Sequence, residues 1–252
     1  MTLINETDSE SVKAILTALK SETGATTTLQ GLAQGVMEQF RAVFTESVVL
    51  ARTYATVPYK LLPERDRAFV QNSVRGKGKL DLLTEETKVL SLLGTSGVDP
   101  AWCDRYRSQD HLGVPLLSPE FVAGIPMVAG LIRDLGSSAD WYARTRPSDS
   151  SDNFGVFAES FFVPDAATCR DDSGRLLIPA QDFVRAHGVR AVLGVGGQFG
   201  STGMILVCIF FTREAPSPTT AKWLMRLPLV LGTVSLPFVS SGRIYTVGVF
   251  ES

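Results

Sequence analysis

Val189-Arg-Ala-Val-Leu-Gly-Val195 and Met204-Ile-Leu-Val-Cys-Ile-Phe-Phe-Thr212, joined by Gly196-Gly-Gln-Phe-Gly-Ser-Thr-Gly203, decide the fold. Both outer runs are rich in β-branched and aromatic residues and are bounded by glycine or charge, the pattern of strands. Only eight residues link them. A parallel pair needs a crossover of about a dozen residues or more, so the two strands must run antiparallel. Phe154 to Val163 reads as a further strand. Between it and the pair, Pro179-Ala-Gln-Asp-Phe-Val-Arg-Ala-His187 reads as a short helix closed by Gly188.

Upstream the periodicity is helical. Val12, Ile15, Leu16 and Leu19 form a stripe over residues 9–20, and Ser21 to Thr28 reads as a small polar linker. Leu29, Leu32, Val36, Phe40 and Val43 suit one face of a helix reaching about Tyr54, stopped by Pro58 and Pro63. Thr84 is a plausible N-cap for a short helix through Leu93, ended by Gly94. Ser118, Pro119 and Glu120 start a helix whose apolar positions run from Phe121 to Leu135. The Ser-, Asp- and Arg-rich stretch 137–153 reads as a surface connection. Ser217 and Pro218 cap a last helix carrying Trp223, Leu224 and Leu227, which Pro228 bends or ends. Gly242 to Phe250 alternates loosely, as an edge strand would. Helices first, then hairpin-linked strands, then a helix describe an α+β domain with an antiparallel sheet. The division expected is an N-terminal helix and linker (1–28), a sensor-type α+β domain (29–240) and a tail or edge strand (241–252).

With 252 residues, 44% hydrophobic and 20% charged, the chain has globular composition and can bury a core. The formal net charge is −2 and the pI near 5.8, so no global basic field draws it to nucleic acid or anionic lipid. Residues 41–80 do carry eight Lys and Arg against three acids. Of the basic loop Arg65 to Lys79, only Phe69 is aromatic, so it lacks the stacking platform of a single-strand binder and reads as a solvated surface. The polar, acidic start Met1 to Glu10 is no secretory signal. The longest unbroken apolar run, Met204 to Phe211, is too short to span a bilayer. Three widely spaced cysteines suggest neither a disulfide framework nor a zinc knuckle. The reading expects a cytoplasmic protein with no nucleic-acid and no membrane partner.

Chemistry-bearing residues are few. Gly194-Val-Gly-Gly-Gln-Phe-Gly200 departs from a dinucleotide fingerprint, because Phe199 replaces the third glycine and a strand, not a helix, follows. Asp165, Asp171 and Asp172 offer oxygens for a hard cation, but Asp-Ser-Gly at 172–174 is an ordinary turn. Cys169 and His187 are nucleophile and base types that nothing in the sequence places together. His187 before Gly188 suits a helix carboxyl end, and His111 suits a loop-ordering role. No metal site and no catalytic set is legible, and no cofactor is named.

Two stretches carry a resemblance. The first runs Leu92-Leu-Gly-Thr-Ser-Gly-Val-Asp-Pro-Ala-Trp102, through Ser108, His111, Val114-Pro-Leu and Ser118-Pro-Glu-Phe-Val, to Pro126-Met-Val-Ala-Gly-Leu-Ile132. The second runs Phe162-Val-Pro-Asp-Ala166, Ile178-Pro-Ala-Gln-Asp-Phe-Val184, Gly188-Val-Arg-Ala-Val-Leu-Gly194, Gly196-Gly and Val207 to Arg213, ending near Leu236-Pro-Phe238. Over roughly residues 30–240 the chain resembles the GAF-like sensory domains found upstream of bacterial histidine kinases and related signalling modules. The resemblance implies an antiparallel sheet flanked by helices, small-molecule or redox sensing, and dimerisation through flanking helices. It supplies no catalytic residues.

The function expected is therefore a non-catalytic sensor or regulatory domain that binds a small-molecule ligand or a signalling protein partner and forms a homodimer. The apolar stripe of residues 9–20 offers a surface for self-association. A sheet with helices across one face encloses a mostly apolar cavity. Its candidate wall residues are Phe157, Phe161, Val192, Ile205 and Val207 from the strands, with Phe183 and Trp223 from the helices. The alternative is a scaffold or assembly protein whose pocket is filled by its own side chains. An enzyme using Cys169 or the aspartates ranks third.

Overall fold

The run Val-Val-Leu-Ala-Arg-Thr-Tyr-Ala-Thr-Val-Pro forms β1 (Val48–Pro58), and it lies inside the sheet. The computed structural model describes residues 3–7, 9–22, 26–107, 111–134, 159–199 and 204–246. In chain order the elements are α1 (Ser9–Glu22), α2 (Leu29–Val43), β1, α3 (Glu64–Arg75), β2 (Lys88–Gly97), β3 (Gly113–Pro115), α4 (Pro119–Ala123), α5 (Pro126–Asp134), β4 (Glu159–Val163), α6 (Gln181–His187), β5 (Ala191–Phe199), β6 (Met204–Thr212), α7 (Pro218–Leu224) and α8 (Arg226–Ser240). The sheet order is β3-β2-β1-β6-β5-β4, every neighbouring pair antiparallel. β5 and β6 pair from Ala191↔Thr212 to Phe199↔Met204, as their short link requires. The chain has the α+β, antiparallel fold read from its sequence.

Five local expectations are corrected. The helix from Leu29 ends at Val43 rather than Tyr54, and Thr84–Leu93 is no helix, because β2 begins at Lys88. β1 and β2 are covered on both faces, so their apolar residues run on without the alternation that marks a half-exposed strand. The helix after Ser118 is broken in two at Gly124 and Ile125, ahead of Pro126. The helix from Ser217 is interrupted at Met225, so Leu227 belongs to α8, and Pro228 sits in the first turn of that second helix, where a missing N–H costs no helical bond. Arg243–Thr246 is no edge strand. The carbonyls of Arg243 and Ile244 instead accept from the N–H groups of Leu29 and Gln30 at 3.0 and 2.8 Å. With Thr28 Oγ1 accepting from the Gly31 N–H at 3.1 Å, they satisfy the open start of α2. The expected surface connection at 137–153 and the first residues of the strand expected at Phe154 lie outside the described residues.

Helices cover both faces. On the first, α1 lays Val12 and Ile15, α2 lays Leu32, Val36 and Phe40, and α8 lays Leu227, Leu231 and Phe238 against Ala51, Ala55, Leu193 and Phe210 of the sheet. The stripe of α1 expected to mediate self-association is thus used inside the chain. α2 comes so close to β2 that a Cβ on Gly94 would stand 2.4 Å from the Ala33 carbonyl. Ile4 joins the same core, and its N–H donates to Ser47 Oγ at 2.9 Å. The stretch Pro218–Ser240 is long and apolar enough to cross a bilayer by length and composition, but Leu224, Leu227, Leu231 and Phe238 are buried in this core.

On the second face, Val122 of α4, Val128 and Leu131 of α5 and Val184 of α6 pack on Leu50, Tyr54, Leu92, Phe161, Val192 and Val207. α3 is tied on by an ion pair, Arg105 to Asp66 at 2.5 Å, both side chains almost wholly buried. The Arg105 Nε–H also donates to the Leu92 carbonyl at 2.7 Å. That additional hydrogen bond is what a buried pair needs to offset its desolvation.

Candidate ligand site

A strand alternates its side chains between faces. On β1, Ala51 and Ala55 enter the first core, while Leu50 and Tyr54 enter the second. Arg52 therefore shares the second face with Leu50 and Tyr54. Its cross-strand neighbours are Ile209 on β6 and Thr95 on β2. Arg52 is 6% exposed and Tyr54 5%. A guanidinium stays charged when buried, so this apolar floor contains a fixed positive charge near the middle of the sheet. Tyr54 adds a phenol to the same floor. These two groups were missed from the sequence because Val48–Val57 was read partly as helix. The available signal was an Arg and a Tyr two positions apart inside a run otherwise made of apolar and small residues.

The strand residues proposed as walls come together here. Phe161, Val192, Ile205 and Val207 all belong to the second core, and Phe183 of α6 packs against it. Trp223 is the exception: it lies on the first face, 6.2 Å from the Phe40 ring and 5.8 Å from the Phe44 ring. α7 follows the β6 strand onto the side of α2, and the sequence stripe of a helix says which residues are buried, not under which face. Phe157 lies outside the described residues.

At one side of this floor Trp102, Phe183 and His187 form a half-buried aromatic group, with Trp102–His187 centroids 4.8 Å apart and Trp102–Phe183 5.3 Å. Phe183 also meets Phe211 edge-on at 5.5 Å. α6 holds two of these rings, and it ends where expected, at Gly188, whose φ of 63° is the left-handed conformation a glycine adopts freely. Its start is pinned by the Gln181 side chain, which donates to the Ile178 carbonyl at 2.7 Å and the Ala166 carbonyl at 3.0 Å. The Ile-Pro-Ala-Gln stretch is therefore a clasp between a loop and a helix.

The other groups weighed for chemistry are committed to structure. Asp165 accepts from the Ala167 N–H at 3.0 Å and pairs with Arg190 at 3.1 Å; the Ala167 bond, more than the Arg190 charge, holds its carboxyl below the usual range. Asp171 accepts from the N–H groups of Ser173 and Arg175 and from the Arg175 guanidinium. Burial pulls its carboxyl up, those bonds outweigh it, and the net shift is down. Asp172 is fully exposed, 3.7 Å from Arg133. Asp171 and Asp172 border a shallow cleft of about 140 Å³ between α5 and the 171–177 loop, lined also by Ala129 and Gly130. Burial pushes the Cys208 thiol up to about 12, so it is inert at neutral pH. Cys169 packs against the second core, His187 joins the aromatic group, and no bond links the two. No group of three or more metal-ligating side chains occurs among the described residues.

No protein-family model matches the sequence, and no curated protein matches it. Solved structures do resemble the fold. The GAF domain of an Acinetobacter phosphoenolpyruvate-protein phosphotransferase is 13% identical, with a TM-score of 0.47 over 95% of this chain and 100% of that one. A phycocyanobilin-bound GAF domain from a cyanobacterial phytochrome is 11% identical, with a TM-score of 0.45 over 91% and 96%. A free methionine-R-sulfoxide reductase from Neisseria meningitidis, in complex with its substrate, is 10% identical, with a TM-score of 0.48 over 95% and 98%. Each of these likenesses is below 15% identity and below a TM-score of 0.5.

Proposed function

We propose that the chain is a non-catalytic, cytoplasmic sensor or regulatory domain that binds a small molecule on the second face of its sheet and passes the event to a protein partner. The observation that carries this reading is the burial of a charged and a phenolic side chain, Arg52 and Tyr54, in the otherwise apolar second face. An apolar wall with a few polar groups is also the usual composition of a small-molecule site. A non-catalytic role is supported by the commitments of Asp165, Asp171 and Cys208 to turns and core. We further propose a homodimer through the outer side of α8. After Arg226 that helix carries no charge, and it leaves Leu236 40% exposed.

A second reading, a scaffold whose pocket is self-filled, has its own observation. A Cβ on Gly130 would meet the Phe161 ring at 2.8 Å, and one on Gly194 would meet Leu131 at 2.9 Å. α5 therefore presses directly onto β4 and β5 and closes that end of the face. Native mass spectrometry of the purified chain, with thermal melts against a metabolite library, separates the two. The sensor reading expects a dimer mass, a releasable small-molecule adduct and a raised melting temperature with some compound. An adduct-free mass with no compound shifting the melt overturns it in favour of the scaffold.

A further inference from the structure

We infer that the end of the sheet where β1 leaves and β2 enters docks on an anionic membrane surface, through Leu61, Leu80 and Leu82 set beside Arg75, Lys77 and Lys79. Pro58, the last residue of β1, pairs with Lys88, the first of β2. Leu61 follows the one strand and residues 75–82 lead into the other. The N–H groups of Tyr59 and Lys60 hold the two segments together, donating to the Thr87 and Glu85 carbonyls at 2.8 and 3.0 Å. Leu61 is 54% exposed, Leu80 40% and Leu82 41%. They are three of the seven large apolar side chains left exposed among the described residues, so they form a group rather than the scattered single positions normal on a surface.

The stretch projects from the fold. Every residue from Arg75 to Leu82 is exposed, and a Cβ on Gly78 would meet nothing within 4 Å. Arg75 donates to the Asn72 side chain and the Lys77 ammonium stands 4.8 Å over the Phe121 ring, but among the described residues none of the three cations pairs with an acid. The acids nearby are Glu64, Asp81, Glu85 and Glu86, and Glu86 is held by Lys60. A projecting tip that carries leucines suits a deformable surface. The leucines insert while the cations stay at the level of the headgroups; a folded protein would have to offer a matching hollow. The whole-chain charge of −2 gave the expectation of no membrane partner. The pull of an anionic leaflet, however, falls off within a Debye length. It acts on the charges at its surface, here three cations against one acid over residues 75–82.

The test sediments the full chain with vesicles of phosphatidylcholine alone or of phosphatidylcholine containing a third phosphatidylserine. Binding to the mixed vesicles is expected to be at least about tenfold tighter and to weaken as salt is added. Lys77→Gln combined with Lys79→Gln should weaken it about tenfold. Leu80→Ser combined with Leu82→Ser, which leaves the charge unchanged, should also weaken it about tenfold. All four side chains are exposed, so the melting temperature should not move. Equal binding to the two vesicle types, or binding unmoved by the leucine pair, overturns the inference. So does an absence of vesicle binding, which would leave the patch to an acidic protein partner. None of these outcomes bears on the ligand-binding reading, which the thermal melts decide.

Discussion

On the first face of the sheet Phe40, Phe44 and Phe210 stack at 4.9 and 4.4 Å from the Phe40 ring, and α2 lies backbone to backbone on Gly94. On the second face shorter helices cover the strands, and the floor includes a charged and a phenolic side chain. The same strands supply both faces, so the difference comes from what the helices bring. α2 and α8 are fifteen residues each and lay continuous apolar stripes. α4, α5 and α6 are five, nine and seven, tied together by loops whose polar groups are bonded to one another. A long stripe excludes polar atoms along its whole length. Short helices linked by clasps can surround a polar spot without having to cover it. On the proposed reading, stability belongs mainly to the first arrangement and recognition to the second.

The largest test of that division is Phe40→Ala. Phe40 is fully buried among three other rings, and its loss should cost about 3–5 kcal/mol in urea denaturation. A cost below about 1 kcal/mol would mean the first face is not the close-packed one. A matched pair of glycines sharpens the contrast. Gly94→Ala puts a Cβ against the Ala33 backbone, which cannot give way without moving α2, and should cost about 3 kcal/mol. Gly194→Ala meets only the end of the Leu131 side chain, which can rotate, and should cost about 1 kcal/mol. Equal costs would remove the distinction between a rigid face and a yielding one.

Much of this architecture was legible in the chain, for reasons that also explain the gaps. β5 and β6 declare themselves because glycines bound their link and its length forbids a crossover. α6 and α7 declare themselves through Gly188 and Ser217 at their ends, and α2 through its apolar spacing from Leu29. β1 and β2 do not, since a strand covered on both sides shows no period of two, and Val36, Phe40 and Val43 lead smoothly into Val48. Reading β1 as helix also hid the site, because Arg52 and Tyr54 share a face only in an extended chain. Trp223 shows a different limit. Its burial follows from its own helix, whereas its side of the sheet follows from the route taken after Thr212.

The smallest effect concerns the loop that closes the second face. Because hydrogen bonding, chiefly from the Ala167 N–H, depresses the Asp165 carboxyl, the folded state holds the ionised form more tightly than the unfolded chain does. The folded value is below the ordinary 3.8, so this contribution is complete above that pH and is lost as pH falls through the folded value. Asp171, depressed in the same loop, acts with the same sign. Hydrogen exchange of residues 164–178, corrected for intrinsic rates, should therefore rise when the pH is lowered past 3.8. Asp165→Asn, which cannot lose a charge there, should show a shallower rise. α2 and β1, whose packing on the first face uses no such carboxylate, should stay protected over the same range. If their protection fell in step with the loop, the two faces would open as one unit, and assigning stability to one and recognition to the other would no longer stand.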